Sequence, residues 1–524
     1  MVTSGQAKVI AHDLGTGGNK ASVYDVNGHC LATSFVPYET SYPETGKHEQ
    51  CPDDWWSAVV QSTRALLRDS REPLDRGTTS QVVVDPNDIA CIVLSGHSLG
   101  AVPIDRAGRL LREATPIWSD TRAHQQTRAF FEHQDGDEWY LNTGNGFPAE
   151  CYTVFKVMWY RDNEPDMFSR IWKVLGTKDY INYRLTGEIA TDYSYASGSG
   201  VYDLRKWEYN GEFIRRSGLD RDLFPDIVPS TASVGCLTPA ASHELGLPET
   251  VEVIAGGVDN SCMALGAGNT AEGRVYTSLG SSSWIAVSSA EPVLDARARP
   301  FVFAHVMPGL FTSAVSIFAA GSAFKWIRNL LFDPEADHGQ DVYQTMNRMA
   351  ERSPVGARRL LFNPSLAGGA NQEPNRHIRG ALAGIDLLHT RNDVVRAAME
   401  GIAMNLGAVL EVLRERTPTE ETMLVVGGGS RSRVWRQILA DVFGMRVRKT
   451  QVDQDAGSLG AAALGLVGCR LWDGFELIDK VHRQEESVEP IPSNQTKYRS
   501  LMSAFNELRE SQAKLGKRLE QLEL

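Results

Sequence analysis

An α/β protein of two lobes is the architecture this sequence predicts, and two distant segments predict it. The first is Ile10-Ala11-His12-Asp13-Leu14-Gly15-Thr16-Gly17-Gly18-Asn19-Lys20, running on to Asp25. The second is Val275-Tyr276-Thr277-Ser278-Leu279-Gly280-Ser281-Ser282-Ser283-Trp284, running on to Val287. In each, a β-type run meets a Leu-Gly turn of small hydroxylic residues, and a second run with alternating apolar positions follows. Such hairpins present backbone N–H groups and hydroxyls to an anion. The third observation is length: 524 residues exceed what one compact core accommodates, so a pair of domains is expected.

The elements follow in order. Residues 9–31 read as strand, turn, strand. Residues 53–68 carry Trp55, Trp56, Val59, Val60, Leu66 and Leu67 at helical spacing behind an acidic start. A polar loop at 72–88 leads into a buried strand at 89–94, which ends at Ser95-Gly96-His97-Ser98-Leu99-Gly100; a return strand is expected at 102–105. Helices are expected at 155–160 and 179–185. A β-branched strand at 251–255 enters Gly256-Gly257-Val258-Asp259-Asn260. A new strand-and-helix series starts there, which divides the chain into 1–256, 257–490 and a C-terminal helix at 491–524. Within the second part, helices are expected at 319–331, 392–416 and 434–442. A buried strand at 423–426 precedes Gly427-Gly428-Gly429, and a small-residue helix spans 460–467. In the last segment, Leu501, Phe505, Leu508, Leu515, Leu519 and Leu522 form a stripe that lays the helix back on the body, a homodimer contact being the alternative.

Composition narrows the function. A net charge of -12 with no basic cluster argues against nucleic acid, which requires a basic field. Seven scattered cysteines form no C-x-x-C and no zinc pattern, as expected of free thiols in a reducing compartment. No signal-peptide layout opens the chain, and the apolar run at 459–471 is too short to span a bilayer. The expectation is a cytoplasmic protein with no membrane partner.

No G-x-x-x-x-G-K-[ST] occurs, and Gly15-Thr16-Gly17-Gly18 lacks the spacing of a dinucleotide fingerprint. Asp13 closes an apolar strand, where a carboxylate is costly unless a cation is near; Mg²⁺ held through water would supply one. Lys20, on the same hairpin, can meet phosphate oxygens. Asp259 has two readings: N-cap of a helix at 261–266, or general base taking a proton from a hydroxyl that attacks a γ-phosphate.

These residues, in this order, resemble the FGGY family of carbohydrate kinases over nearly the whole chain. The match includes the hairpin from Asp13 to Lys20, Trp118-Ser119-Asp120-Thr121-Arg122, Gly256 to Asn260, Leu279-Gly280-Ser281-Ser282 and Gly427 to Ser432. Most specific is the run from Gly380 through Gly384-Ile385, followed after a seven-residue gap by Asp393-Val394 and Ala397-Ala398-Met399-Glu400. The N-terminal pattern around Thr153, Lys156, Val157 and Trp159 is a near match, with Cys151 and Tyr160 outside the usual choices.

The resemblance implies a two-lobed actin-like, ribonuclease-H-type fold with an interlobe cleft, sugar mainly on the first lobe and adenosine on the second. It implies ATP-dependent phosphorylation of a small sugar hydroxyl, with ATP and Mg²⁺ as cofactors. Asp259 would be the base and Asp13 the carboxylate near the metal. Thr16, Lys20, Gly280 and Ser281 would face the phosphates; Gly428, Gly429 and Ser432 would line the adenosine site, with Lys325 nearby and the glycines kept small for the nucleotide. His97, Trp118, Asp120 and Asn260 are the sugar-site candidates.

Glycerol-specific members carry Arg-Glu where this chain has Ser98-Leu99, and typical xylulokinases carry Met-His. A pentulose such as xylulose is the first expectation. Other ketoses, gluconate or a linear quorum-signal ketone are alternatives, and a catalytically silent sugar sensor is the reading from another class.

Overall fold

In the computed structural model, which describes residues 6–67, 79–80, 84–332, 341–370, 373–482 and 484–522, alternation along the first strand sets the layout. β1 (Lys8–Gly15), β2 (Gly18–Asp25) and β3 (Cys30–Pro37) form an antiparallel meander. With β4 (Thr79–Ser80), β5 (Ile89–Gly96), β6 (Ser233–Cys236) and β7 (Glu252–Val258) they complete a seven-stranded sheet ordered β6-β7-β5-β1-β2-β3-β4. β1 and β7 both pair in parallel with β5, which lies between them. Most of the polar loop expected at 72–88 lies outside the described residues.

The second half repeats this plan. β8 (Val275–Leu279), β9 (Ser283–Ser289), β10 (Phe301–Ala304), β11 (Phe311–Ile317), β12 (Thr422–Val426), β13 (Arg446–Thr450) and β14 (Gln484–Val488) are ordered β10-β11-β9-β8-β12-β13-β14. Again a three-strand antiparallel meander continues into parallel strands, here β8, β12 and β13, with an antiparallel strand at each edge. A ribonuclease-H-type sheet has therefore been built twice, which is the actin-like arrangement.

Helices cover both sheets. In the first half these are α1 (Pro52–Leu66), α2 (Thr177–Thr186), the one-turn α3 (Tyr193–Ala196) and α4 (Asp259–Gly266). The second half contributes α5 (Gly321–Leu331), α6 (Arg391–Arg414), α7 (Arg433–Phe443), α8 (Ala456–Gly468) and α9 (Pro492–Glu520). α1 opens on Pro52 with Asp53 and Asp54 in its first turn, favourable at the positive end of a helix.

Because successive Cβ atoms alternate, each strand feeds two cores. Val9, Ala11, Cys91, Val93 and Ile254 of the first sheet meet Tyr276, Ala286, Leu424 and Val426 of the second in one core filled by α4 and α8. Ile10, Val23 and Ile92 face outward beneath Trp55, Trp56 and Val59 of α1. Val275, Val287 and Met423 face α6. Asp13 follows Val9 and Ala11 in the alternation, so its side chain lies on the face between the sheets.

Two expectations need correcting. The boundary placed at Gly257 falls inside β7, which pairs with β5 as far as Val258. α9 does pack back on the second half, but Leu515, Leu519 and Leu522 are 43%, 51% and 57% exposed. Its buried positions are Tyr498, Phe505, Arg509, Ala513 and Gly516. At Gly516 an added Cβ would lie 1.9 Å from the His377 carbonyl oxygen, so small residues bring the helix in and turn its late leucines outward. No helix among the described residues is long and apolar enough to cross a membrane.

Candidate active site

The first hairpin and the strand ends at Asp13 and Asp259 meet on the face between the sheets, where burial and the charge of Asp13 raise the carboxyl of Asp259. In the first hairpin Gly15 pairs with Gly18, leaving a two-residue turn of Thr16 and Gly17. The turn is tethered from behind: Gln50 Nε2 donates to the Thr16 carbonyl at 2.7 Å and the Tyr38 hydroxyl to the Gly15 carbonyl. Thr16 Oγ1 accepts from the Trp118 indole N–H at 2.9 Å, so a phosphate-side and a sugar-side candidate are in direct contact.

Asp13 and Lys20 face each other across the hairpin. Burial pushes the Asp13 carboxyl up from its ordinary value, with the Ser95 hydroxyl and the Lys20 ammonium pulling the other way. Lys20 is ion-paired with Asp455, the residue preceding α8. Gly457, in the first turn of α8, lies so close to Asp13 that an added Cβ would stand 2.9 Å from Oδ2. Asp455 was not among the candidates from sequence. Its signal was an acidic residue directly before a helix of small residues, and the helix takes no side-chain cap bond from it.

Asp259 is the first residue of α4 rather than the residue before it, so it makes no N-cap bond; Oδ1 accepts from the Asn260 backbone N–H at 2.8 Å. Burial, reinforced by the negative charge of Asp13, pushes its carboxyl up to about 7. Asn260 is half-buried beside it.

The sugar-side candidates divide. Trp118 is half-buried, with its ring centroid 6.3 Å from that of Phe147. Asp120 is fully buried, and its carboxylate accepts from Arg122 Nη2 and the His48 N–H, each at 2.7 Å, and from Arg122 Nε at 2.9 Å. Arg122 also reaches Glu49 at 2.8 Å. His97 is 1% exposed, set edge-on to Trp55 at 5.5 Å with Nδ1 3.2 Å from Thr177 Oγ1. Burial pushes its imidazole down to about 4, so it is neutral. Asp120 and His97 thus stand behind the surface, not on it, which corrects the direct sugar contact expected of them.

Lys156 explains the N-terminal pattern. Its fully buried ammonium donates to the Leu99 and Ile117 carbonyls at 2.8 and 2.7 Å, tying the loop at 97–100 to the one at 117–120. Burial lowers it to about 8. Thr153 Oγ1 and the Tyr160 hydroxyl hold the Gly100 and Ala101 carbonyls at 3.1 and 2.8 Å. Leu99 has φ 62, a left-handed conformation rare for a branched residue.

The second hairpin turns through Gly280, Ser281 and Ser282 between paired Leu279 and Ser283. Its carbonyls anchor the start of α5: Gly321 N donates to Gly280 O at 2.9 Å, and Ala320 N and Ser322 N to Ser281 O at 3.0 Å each. Lys325 lies one turn further along α5, exposed. In the Gly427-Gly428-Gly429 run, the outer two glycines are required by protein packing. An added Cβ would fall 2.9 Å from the Leu279 carbonyl oxygen at Gly427 and 2.5 Å from Leu279 Cδ2 at Gly429. At Gly428 an added Cβ would meet Gln454 Nε2 at an ordinary 3.7 Å, so packing against Leu279 is a second reason, beside the expected nucleotide, for keeping Gly429 small. Ser432 caps α7, accepting from Trp435 N at 3.2 Å, and donates to Asn347 Oδ1 at 2.7 Å.

Two duplicated sheets, each carrying a tight hairpin, with the strand-end carboxylates Asp13 and Asp259 close enough to influence one another, define a two-lobed sugar-kinase class of protein. Comparison with known proteins agrees. Residues 8–266 match the N-terminal domain of the FGGY family of carbohydrate kinases, and residues 275–469 match its C-terminal domain. The xylulose kinase of Bacillus subtilis strain 168 is 30% identical over 505 residues, covering 95% of this chain and 96% of the relative. The gluconokinase of the same organism is 27% identical over 501 residues, covering 94% of each. The crystal structure of xylulose kinase from Rhodospirillum rubrum superposes with a TM-score of 0.84 at 27% identity, covering 97% of this chain and 100% of that one. The chain belongs to the FGGY family of carbohydrate kinases. It is a carbohydrate kinase that uses ATP and acts on a small sugar.

Proposed function

We propose that the acceptor is a neutral ketose, a pentulose such as xylulose first, and that Asp259 is the general base. The observation that supports the base assignment is the Asp259 carboxyl itself, half-buried at the end of β7 and pushed up to about 7. A base works best when its pKa lies near the working pH. Asp259 takes the hydroxyl proton as the acceptor oxygen attacks the γ-phosphorus; that P–O bond forms while the bond to the β-phosphate oxygen breaks, and ADP departs with the electron pair.

The hairpin turns carrying Thr16, Lys20, Gly280 and Ser281 face the phosphates, and the adenosine lies toward Gly428, Gly429 and Ser432, with Lys325 nearby. Trp118 and Asn260 border the acceptor, while His97 and Asp120 hold that border from behind. Asp13 fits a divalent cation: its half-buried carboxylate lies on the inward face beside one lysine. Among the described residues no group of three or more His, Cys, Asp or Glu is placed to hold a metal. Asp13 would hold such an ion with water and phosphate as further ligands, as suits Mg²⁺, and the ion would supply positive charge against the phosphates.

The preference for a neutral acceptor rests on charge, since the Asp13 and Asp259 carboxylates both disfavour an anionic sugar, and on the xylulose kinases among the relatives. Gluconate is the second reading, because a gluconokinase is also a relative. ADP release with D-xylulose, D-ribulose, L-xylulose, glycerol and D-gluconate separates them: the highest kcat/KM is expected with a pentulose, and a gluconate maximum overturns that choice. Asp259→Asn is expected to lower sugar-dependent turnover by about 10³-fold or more with ATP affinity retained. A near-normal rate removes Asp259 from the base role.

A further inference from the structure

β7 does not run straight into α4. Its ladder with β5 slips between Ile254 and Gly257. Gly256 sits there at φ +73, and an added Cβ would meet the Leu94 carbonyl oxygen at 1.9 Å. Such irregularities re-aim the residues that follow them. The Ala255 carbonyl, displaced by the slip, accepts from Lys178 Nζ at 3.2 Å and from Asn182 Nδ2 at 2.9 Å.

Lys178 is the hub of a fully buried cluster. Its ammonium lies 2.6 Å from Asp179 and 3.0 Å from Asp192, and 5.4 Å from the centroid of the Tyr195 ring. Asp192 caps α3: Oδ2 accepts from Ser194 N at 2.9 Å, from Ser194 Oγ at 2.5 Å and from Ser230 Oγ at 2.7 Å. Ser194 Oγ in turn accepts the backbone N–H of Val258, the residue before Asp259, at 2.9 Å.

The next residue of α3 acts on the neighbouring strand end. The Tyr195 hydroxyl donates to the His97 carbonyl at 3.1 Å and accepts from Thr177 N at 2.9 Å and Gly100 N at 3.3 Å. Val258 and Gly96 are opposite each other in the register of β7 and β5, so one short helix touches the ends of two adjacent parallel strands. Burying three charges for general stability is a poor exchange against apolar packing; fixing one arrangement is the use such a cluster serves best.

We propose that α3, capped by Asp192 and anchored by Lys178, is a brace that sets the spacing between Asp259 and the loop at 97–100 that backs the acceptor border, with Ser194 and Tyr195 as positioning residues. The proposal rests on the reading of Asp259 as base. Proton abstraction needs the acceptor oxygen within about 2.6–3.2 Å of the base, and a misplacement of about 1 Å costs up to about 100-fold in rate.

The test uses the full chain, ATP and whichever of the five acceptors above gives the highest turnover. Ser194→Ala is expected to lower kcat about tenfold with both KM values within about twofold, and Ser194→Thr to restore at least about half of the rate. Tyr195→Phe is expected to raise the acceptor KM about fivefold with a smaller change in kcat. A folded Ser194→Ala with kcat within about twofold of the parent overturns the brace. So does a Tyr195→Phe variant with an unchanged acceptor KM, which decides the matter even if Ser194→Ala does not fold. Asp259→Asn measured alongside separates the failures: an active Asp259→Asn overturns the base reading, whereas an inert one beside a normal Ser194→Ala overturns the brace alone.

Discussion

A carboxyl held at about 7 has consequences for stability as well as for rate. Asp259 is ionised readily in the unfolded chain, where its pKa is ordinary, but reluctantly in the folded one. The fold is therefore unpenalised below the unfolded pKa and loses stability as pH rises through 7. Asp259→Asn removes the penalty, so thermal unfolding at pH 8 is expected to show the variant more stable than the parent, by on the order of 2 kcal/mol, with the gap narrowing toward pH 5. In the active parent, kcat/KM is expected to fall about tenfold per pH unit below 7, as Asp259 takes up its proton. A flat profile between pH 5 and 7 contradicts the role assigned to it.

At the level of elements, the contact between α4 and α8 decides most. An added Cβ at Gly460 would lie 1.8 Å from the Cys262 carbonyl oxygen, and one at Gly266 1.7 Å from that of Ala456. Gly460→Ala must push the helices apart in the middle of the shared core and is expected to cost about 3 kcal/mol or more. Gly211→Ala, at a site with nothing within 4 Å, is the control and is expected to stay within about 0.5 kcal/mol of the parent in the same unfolding assay. The small-residue character of α8 was legible in the sequence, as were both hairpins and the strand ends at His97 and Asp259. Its start was not: the helix begins at Ala456, ahead of the expected 460, because the residue before it spends its carboxylate on Lys20 instead of announcing a cap. The leucine stripe of α9 misled because spacing reports a face without saying which residues permit close approach. His97 and Asp120 were placed in the right neighbourhood, yet whether a side chain reaches a surface depends on partners from distant segments, here Thr177 and His48, that no local pattern names.

Across the whole molecule, the pairing of Lys20 with Asp455 joins the first hairpin to the second half. Both side chains are partly exposed, 27% and 38%, so the pair itself contributes little to stability. Lys20→Met is accordingly expected to change unfolding by less than about 1 kcal/mol while raising KM for ATP about tenfold, through the phosphate contact assigned to Lys20. An unchanged KM would show that the lysine serves the ion pair only.

The core between the sheets is common property: α8, encoded in the second half, covers β1, β5 and β7 of the first. Produced as two separate polypeptides cut between Gly266 and Val275, each half would present an uncovered apolar wall to solvent and aggregate. Synthesised together in one cell, the fragments should assemble and regain activity, which makes this chain a natural scaffold for a complementation reporter.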